Sequence, residues 1–318
     1  MKAELAKLAP FRLAPWFSER PWGRLDLRPW YASTGTTEPV GEAWLTGPKC
    51  VVETGTMAGR TLTQVASEQL LGMGGENDCR KMEFPLLVKL LFPNDKLSVQ
   101  VHPDDAMAQA MGYTRGKTEC WYVLEAEPGA TIALGLREGA TVERVRAAIE
   151  VGMLEKLMEW VPVAAGDMIF VDAGTVHSIG PGMVLLETQQ SCDVTFRLYD
   201  YGRPRELHLE QGLRALRTHT AAGKVQPRAM DGFARLIEQS YFVVDRYDLA
   251  AGGEVVIPSS SAGCVVGISG VARVGCDGVE PVDLLTGQSV VIPVSSGSVR
   301  VHTDTEASFV CCFVPVSA

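Results

Sequence analysis

The sequence predicts a mainly β protein with a few short helices, and three observations carry that expectation. Residues 164–202 and 241–316 read as short apolar runs broken by Gly-containing turns, the pattern of successive antiparallel strands. LSVQVHPDD, residues 97–105, alternates Gln100 and His102 with Val99 and Val101 and stops at Pro103. Helical patterning is confined to three short stretches. The 318-residue chain is long enough for two domains. The change to compact β-runs places them at 1–238 and 239–318.

In chain order, residues 1–40 are rich in Pro, Trp and Arg without clear periodicity and predict a loop-rich entry with one short strand. GEAWLTG and VVETG predict strands joined by the Gly-Pro turn at 47–48. TLTQVASEQLLG, 61–72, predicts a helix ending at Gly72, and the polar, Gly-rich 72–82 an exposed linker. FPLLVKLLF, 84–92, predicts a buried strand whose one charge, Lys89, must snorkel, sit at a sheet edge or meet a partner. Asp104 and Asp105 are expected to make the turn after Pro103. Residues 140–163 predict a helical insertion, with Thr141 as N-cap and Arg144 at N3 where a capping box would have glutamate. HLEQGLRALR, 208–217, predicts a second helix, and 218–238 a mixed connector. In the all-β segment that follows, His302 has no ligand-type neighbours and reads as structural.

The net charge of −9 argues against nucleic acid or an anionic membrane as partner. No apolar run approaches the roughly 18 residues of a membrane span. MKAELAKLAPFRLAPWF spreads its charges and lacks a signal-peptide core, and the eight cysteines form no C-x-x-C pair. A reducing cytoplasm is therefore expected. No G-x-G-x-x-G follows a strand, so no redox nucleotide is expected.

Three strand ends carry metal-type donors. LSVQVHPDD brings Gln100 and His102, GKTECWYVL brings Glu119, and GDMIFVDAGTVHSIG ends a strand on His177 after the turn at Gly174. Each histidine alone reads as structural; together with Glu119 they make an N/O donor set suited to zinc or another first-row divalent ion.

GDMIFVDAGTVHSIG resembles the second cupin motif, with Asp172 in the proline position. The wider set FPLLVKLLF, LSVQVHPDD, GKTECWYVL, AGTVHSIG and ETQQSCDVTFRLYDYGR resembles the class I phosphomannose isomerases, in their short bacterial form. The resemblance spans most of residues 41–217. It implies a cupin jelly roll over 1–238, with helical insertions near 140–160 and 206–217, and a cupin-like C-terminal β-domain. It implies one zinc ion per chain on Gln100, His102, Glu119 and His177. It also implies active-site lysines at Lys89 and Lys117, a catalytic arginine at Arg197, and a cleft carboxylate at Glu187. Longer members have a histidine where this chain has Gly116, so no ring-opening group carries over to that position.

The implied reaction interconverts mannose 6-phosphate and fructose 6-phosphate through an enediol, which needs a base near C1 and C2 and cations at the developing charge. Glu187, on the face of Leu185 and Gln189, reads equally as that base or as a group orienting Arg197 or a zinc-bound water. Lys89, Lys117 and Arg197 are expected to bind the sugar phosphate, with Arg197 returning beside the His177 strand. Arg203 and Arg205 read as surface charges or cleft-mouth residues. The competing readings are a metal-holding cupin that senses a sugar and, below it, a cupin oxygenase. The donor set lacks the composition of the oxygenase facial triad.

Overall fold

The computed structural model describes residues 7–71, 83–257 and 260–315. The linker expected at 72–82 lies outside them. The described residues form four sheets, and every ladder between the strands within them is antiparallel. The fold is mainly β and cupin-like, as the alternation implies.

Two sheets build the region of the candidate site. One has seven strands, in the order Gly223–Val225, Met168–Val171, Glu119–Ala126, Met183–Gln190, Leu86–Leu91, Val40–Trp44 and Trp16–Arg24. The facing sheet has five, in the order Phe196–Tyr199, Val99–Val101, His177–Ile179, Thr131–Leu136 and Met158–Pro162. The stretch 164–202 therefore alternates between sheets instead of forming neighbouring hairpins. Each crossing carries a functional residue from one wall of the sandwich to the other.

Strand alternation divides the core into layers. Leu86, Val88 and Leu90 point away from the site and pack with Cys264, Val310 and Cys312 of an eight-stranded sheet. On the other face Leu91, Trp121 and Leu185 meet Ile132 and Ile179 of the five-stranded sheet. The second face of the eight-stranded sheet packs on a four-stranded one through Val265, Phe309, Val274 and Val301. The helices Val142–Glu150 and Leu209–Ala215 cover the outside of the five-stranded sheet, where Val145 and Leu213 join Val99, Phe196 and Leu198.

Several expectations change. The entry holds two strands, Phe11–Ala14 and the nine-residue Trp16–Arg24. Phe11 pairs with Val291 and Leu13 with Val52, and Ala234–Glu238 joins the same eight-stranded sheet. Strand pairing thus crosses the expected division at 238/239. The 61–72 helix is two pieces, Leu62–Val65 and Glu68–Leu71, because Ala66 turns extended at ψ 123°. Thr61 and Gln64 close a capping box at the first. Asp104 makes an N-cap, its carboxylate accepting from the Met107 N–H at 2.9 Å, and starts the unforeseen helix Asp105–Ala110. The insertion at 140–163 is helical only to Glu150. A 3-10 turn and the strand Met158–Pro162 follow, and Leu154 and Met158 join Val145 in one cluster. Their spacing imitates a continued helix because both segments bury residues in that cluster. Thr141 caps as expected, accepting from Arg144 N–H at 3.3 Å.

Leu186 is 1% exposed in the layer shared by the seven- and eight-stranded sheets. Leu186→Ala should lower unfolding stability by about 2–5 kcal/mol, read by urea denaturation, because that layer cannot close on the cavity.

Candidate active site

The register between strands assembles the site. In the five-stranded sheet Gln100 lies opposite His177 on one side and Arg197 on the other. The Arg197 strand is therefore one removed from His177, not beside it, because Val99–Val101 lies between. His177 opens its strand instead of ending the previous one. The turn before it contains Gly174 at φ +89°, and Gly174 N–H donates to the His102 carbonyl at 3.0 Å. That bond ties the two histidine segments together. Across the sandwich, Glu187 pairs in register with Lys89 and Trp121, and Glu119 with Gln189 and Val171.

His102, Glu119 and His177 come together with donor atoms within 4.8 Å of one another, all buried. Each histidine turns its Nδ1 to a backbone carbonyl, His102 to Val194 and His177 to Thr175, both at 2.9 Å. This arrangement places the proton on Nδ1 and leaves the Nε2 lone pairs facing Glu119. Burial is the main cause that keeps both rings neutral. It holds His102 well below its ordinary value, with Lys117 adding to the effect, and takes His177 down to about 4.

His177 Nε2 is 3.3 Å from one Glu119 oxygen and His102 Nε2 is 3.7 Å from the other. Both Glu119 oxygens are buried without a hydrogen-bond partner. Lys117 Nζ is 2.9 Å from Oε2 and 3.0 Å from His102 Nε2, in the position of a cation among these donors. Orphaned carboxylate oxygens beside two imidazole lone pairs fit a divalent ion. Gln100 is adjacent, its amide nitrogen 3.2 Å from His177 Nε2 and its oxygen accepting from Ser98.

Lys89 is buried and caged. Its ammonium is 3.2 Å from Asp193, 3.3 Å from Glu187 and 3.9 Å from Glu42. Burial works against its charge, but these three carboxylates outweigh burial and raise its pKa. Burial raises the pKa of Glu187 against the pull of Lys89, while the Trp121 indole donates to it at 3.2 Å. Arg20 grips Glu42 through two nitrogens, and the Trp44 indole donates to the same carboxylate at 2.7 Å. Lys89, Lys117, Glu187, Gln100 and Arg197 all line one cleft of about 390 Å³.

Glu19, Arg20, Glu42 and Asp193 line the cleft without having been singled out by sequence, and Arg205, read there as a surface or cleft-mouth charge, lines it too. Glu42 had a signal, a lone acid within the fully buried run VGEAW. Gly116 is dictated by space. A Cβ there would be 2.5 Å from the Asp104 carbonyl carbon and 2.6 Å from Asp105 N, so this backbone has no room for a histidine.

The sandwich and its buried donor set define a metal-ready cupin. Residues 10–140 match the model described as phosphomannose isomerase type I, catalytic domain. The chain is 33% identical to the mannose-6-phosphate isomerase of Streptococcus mutans, over 93% of this chain and 96% of that one. It is 35% identical to mannose-6-phosphate isomerase ManA of Bacillus subtilis, over 76% and 80% of the two chains. The crystal structure of a Bacillus subtilis mannose 6-phosphate isomerase superposes with a TM-score of 0.84 at 27% identity, covering 96% of this chain and all of that one. This chain belongs to the type I phosphomannose isomerase family.

Gly116→Ala should destabilise the fold by about 1–3 kcal/mol, since the clash is with backbone and cannot be relieved by a rotamer. A thermal melt unchanged from the parent would contradict this account.

Proposed function

We propose that this protein is a zinc-dependent isomerase interconverting mannose 6-phosphate and fructose 6-phosphate through an enediol. The observation that carries this reading is the cleft itself. A His/Glu/His trio, its carboxylate oxygens without a hydrogen bond, lies against two lysines, an arginine and a buried carboxylate. A sugar sensor needs no such concentration of charged groups. The family likeness supports the same reading.

His102, Glu119 and His177 would hold the metal, with Gln100 as the weakest donor because a neutral carboxamide binds zinc less well than imidazole or carboxylate. A bound divalent ion supplies Lewis acidity toward the oxygens on C1 and C2. The remaining chemistry belongs to side chains. Glu187, with its pKa raised by burial, is the proposed carrier of the proton between C1 and C2. Lys117 donates to a substrate oxygen near the trio. Lys89 binds substrate from within its carboxylate cage and keeps Glu187 oriented. Arg197 places a permanent cation beside the developing oxyanion, and its buried Nε makes no hydrogen bond. The cytoplasm remains the proposed location, and the N-terminal unit with its metal site the proposed catalytic domain.

A coupled assay with mannose 6-phosphate should find turnover that chelation stops, and in D2O the sugar should take up deuterium at C1 or C2. His102→Ala and His177→Ala should lose bound zinc. Full metal stoichiometry in both variants would place the site elsewhere. Arg197→Lys and Arg197→Ala should keep metal and fold while kcat falls about 100- to 1000-fold. A kcat within about threefold of the parent would remove Arg197 from the chemistry.

A further inference from the structure

The cations lining the cleft are unequally neutralised. Lys89 has three carboxylates, Lys117 has Glu119, and Arg20 has Glu42. On the side of Arg197 the balance reverses. Asp200, 3% exposed, accepts from Arg205 Nε and Nη2 at 2.6 Å each and from Arg203 Nη1 at 3.1 Å, with Arg197 Nε 3.9 Å away. Asp95 takes the other side of Arg203 at 2.6 Å. Arg197 and Arg205 therefore share the single charge of Asp200. Glu206 hydrogen-bonds Arg197 through its backbone carbonyl, at 2.7 Å, while its carboxylate faces solvent and acts on Arg197 only through space. Arg205 Nη1 makes no hydrogen bond among the described residues and is free for a ligand. Burial first, and then the neighbouring charge of Arg205, lower the pKa of Arg197.

We propose that Asp200 is a positioning residue that fixes Arg205, beside Arg197, as the seat of the substrate's phosphate. The order of contacts supports this. His177 touches Gln100, Gln100 pairs in register with Arg197, Arg197 approaches Asp200, and Asp200 holds Arg205. A hexose phosphate that reacts at C1 and C2 carries its dianion on C6, at its opposite end. Gln100 and Lys117, which touch the trio, share the lining of one cleft with Arg197 and Arg205. Lys89 and Lys117 sit among carboxylates and suit sugar oxygens better than a dianion. Asp200 engages one edge of the Arg205 fork and leaves the other edge for the bidentate contact that phosphate favours.

This inference rests on the sugar phosphate isomerase reading, and one experiment separates the two. The metal-loaded protein and its Asp200→Asn and Arg205→Gln variants are compared for KM and kcat with mannose 6-phosphate and for competitive inhibition by inorganic phosphate. Each variant should raise both KM and the phosphate inhibition constant about tenfold or more while kcat stays within about threefold. Arg205, partly exposed, tolerates replacement if Asp200→Asn unfolds. Turnover by the parent, with both constants within about twofold in Arg205→Gln, overturns the phosphate seat. So does a lowered melting temperature with unchanged phosphate inhibition, which marks Asp200 as merely structural. Absence of turnover in the metal-loaded parent overturns the isomerase reading instead. Calorimetric titration with inorganic phosphate then decides the seat alone, with binding weakened by Arg205→Gln supporting it and equal binding overturning it.

Discussion

The burial of Glu119 is the constraint on which the site depends. A carboxylate that is 1% exposed and accepts no hydrogen bond is strongly unfavourable unless a cation faces it. Everything around it answers that requirement. The two imidazoles present lone pairs and not protons, because their Nδ1 atoms are committed to carbonyls of Val194 and Thr175. Lys117 is drawn to within 2.9 Å, and its own position is set by its backbone N–H bond to Pro103 and the Gln190 carboxamide behind Thr118. A cation facing Glu119 is thus an electrostatic requirement of the fold, and the Lys117 ammonium meets it in this structure.

The same logic, repeated along the cleft, arranges the other charges. Each buried ion has at least one opposite partner, but the ratio changes from place to place. Three carboxylates share Lys89, and three guanidinium groups meet at Asp200. Such inequalities are expensive in a low-dielectric interior and mark where a ligand's charges are anticipated. Both walls of the sandwich contribute, so the distances depend on sheet packing as much as on any one strand.

Much of this was legible in the sequence because alternation is local. Two-residue periodicity puts Gln100 with His102 and Glu187 with Gln189, and the family resemblance then joins segments that spacing alone leaves apart. What escaped detection comes from long-range pairing. Arg20 lies in a strand whose Pro21, Trp22 and Gly23 hide its periodicity. That strand has irregular register with its neighbour around Glu19. Asp193 sits outside regular elements and enters the cleft only through the crossing from Met183–Gln190 to Phe196–Tyr199. The 140–163 stretch misled because helix and strand bury residues in one cluster.

The pairing of Phe11 with Val291 has a consequence for how the chain is made. Strand Phe11–Ala14 leaves the ribosome early, yet one of its partners emerges some 280 residues later, so its outer edge must wait for most of translation. The apolar layer beneath Leu86, Val88 and Leu90 also waits for its cover, Cys264 first and then Val310 and Cys312. Closing such distant contacts is slow. The nascent chain therefore carries a half-finished, sticky sheet until these distant strands have been made.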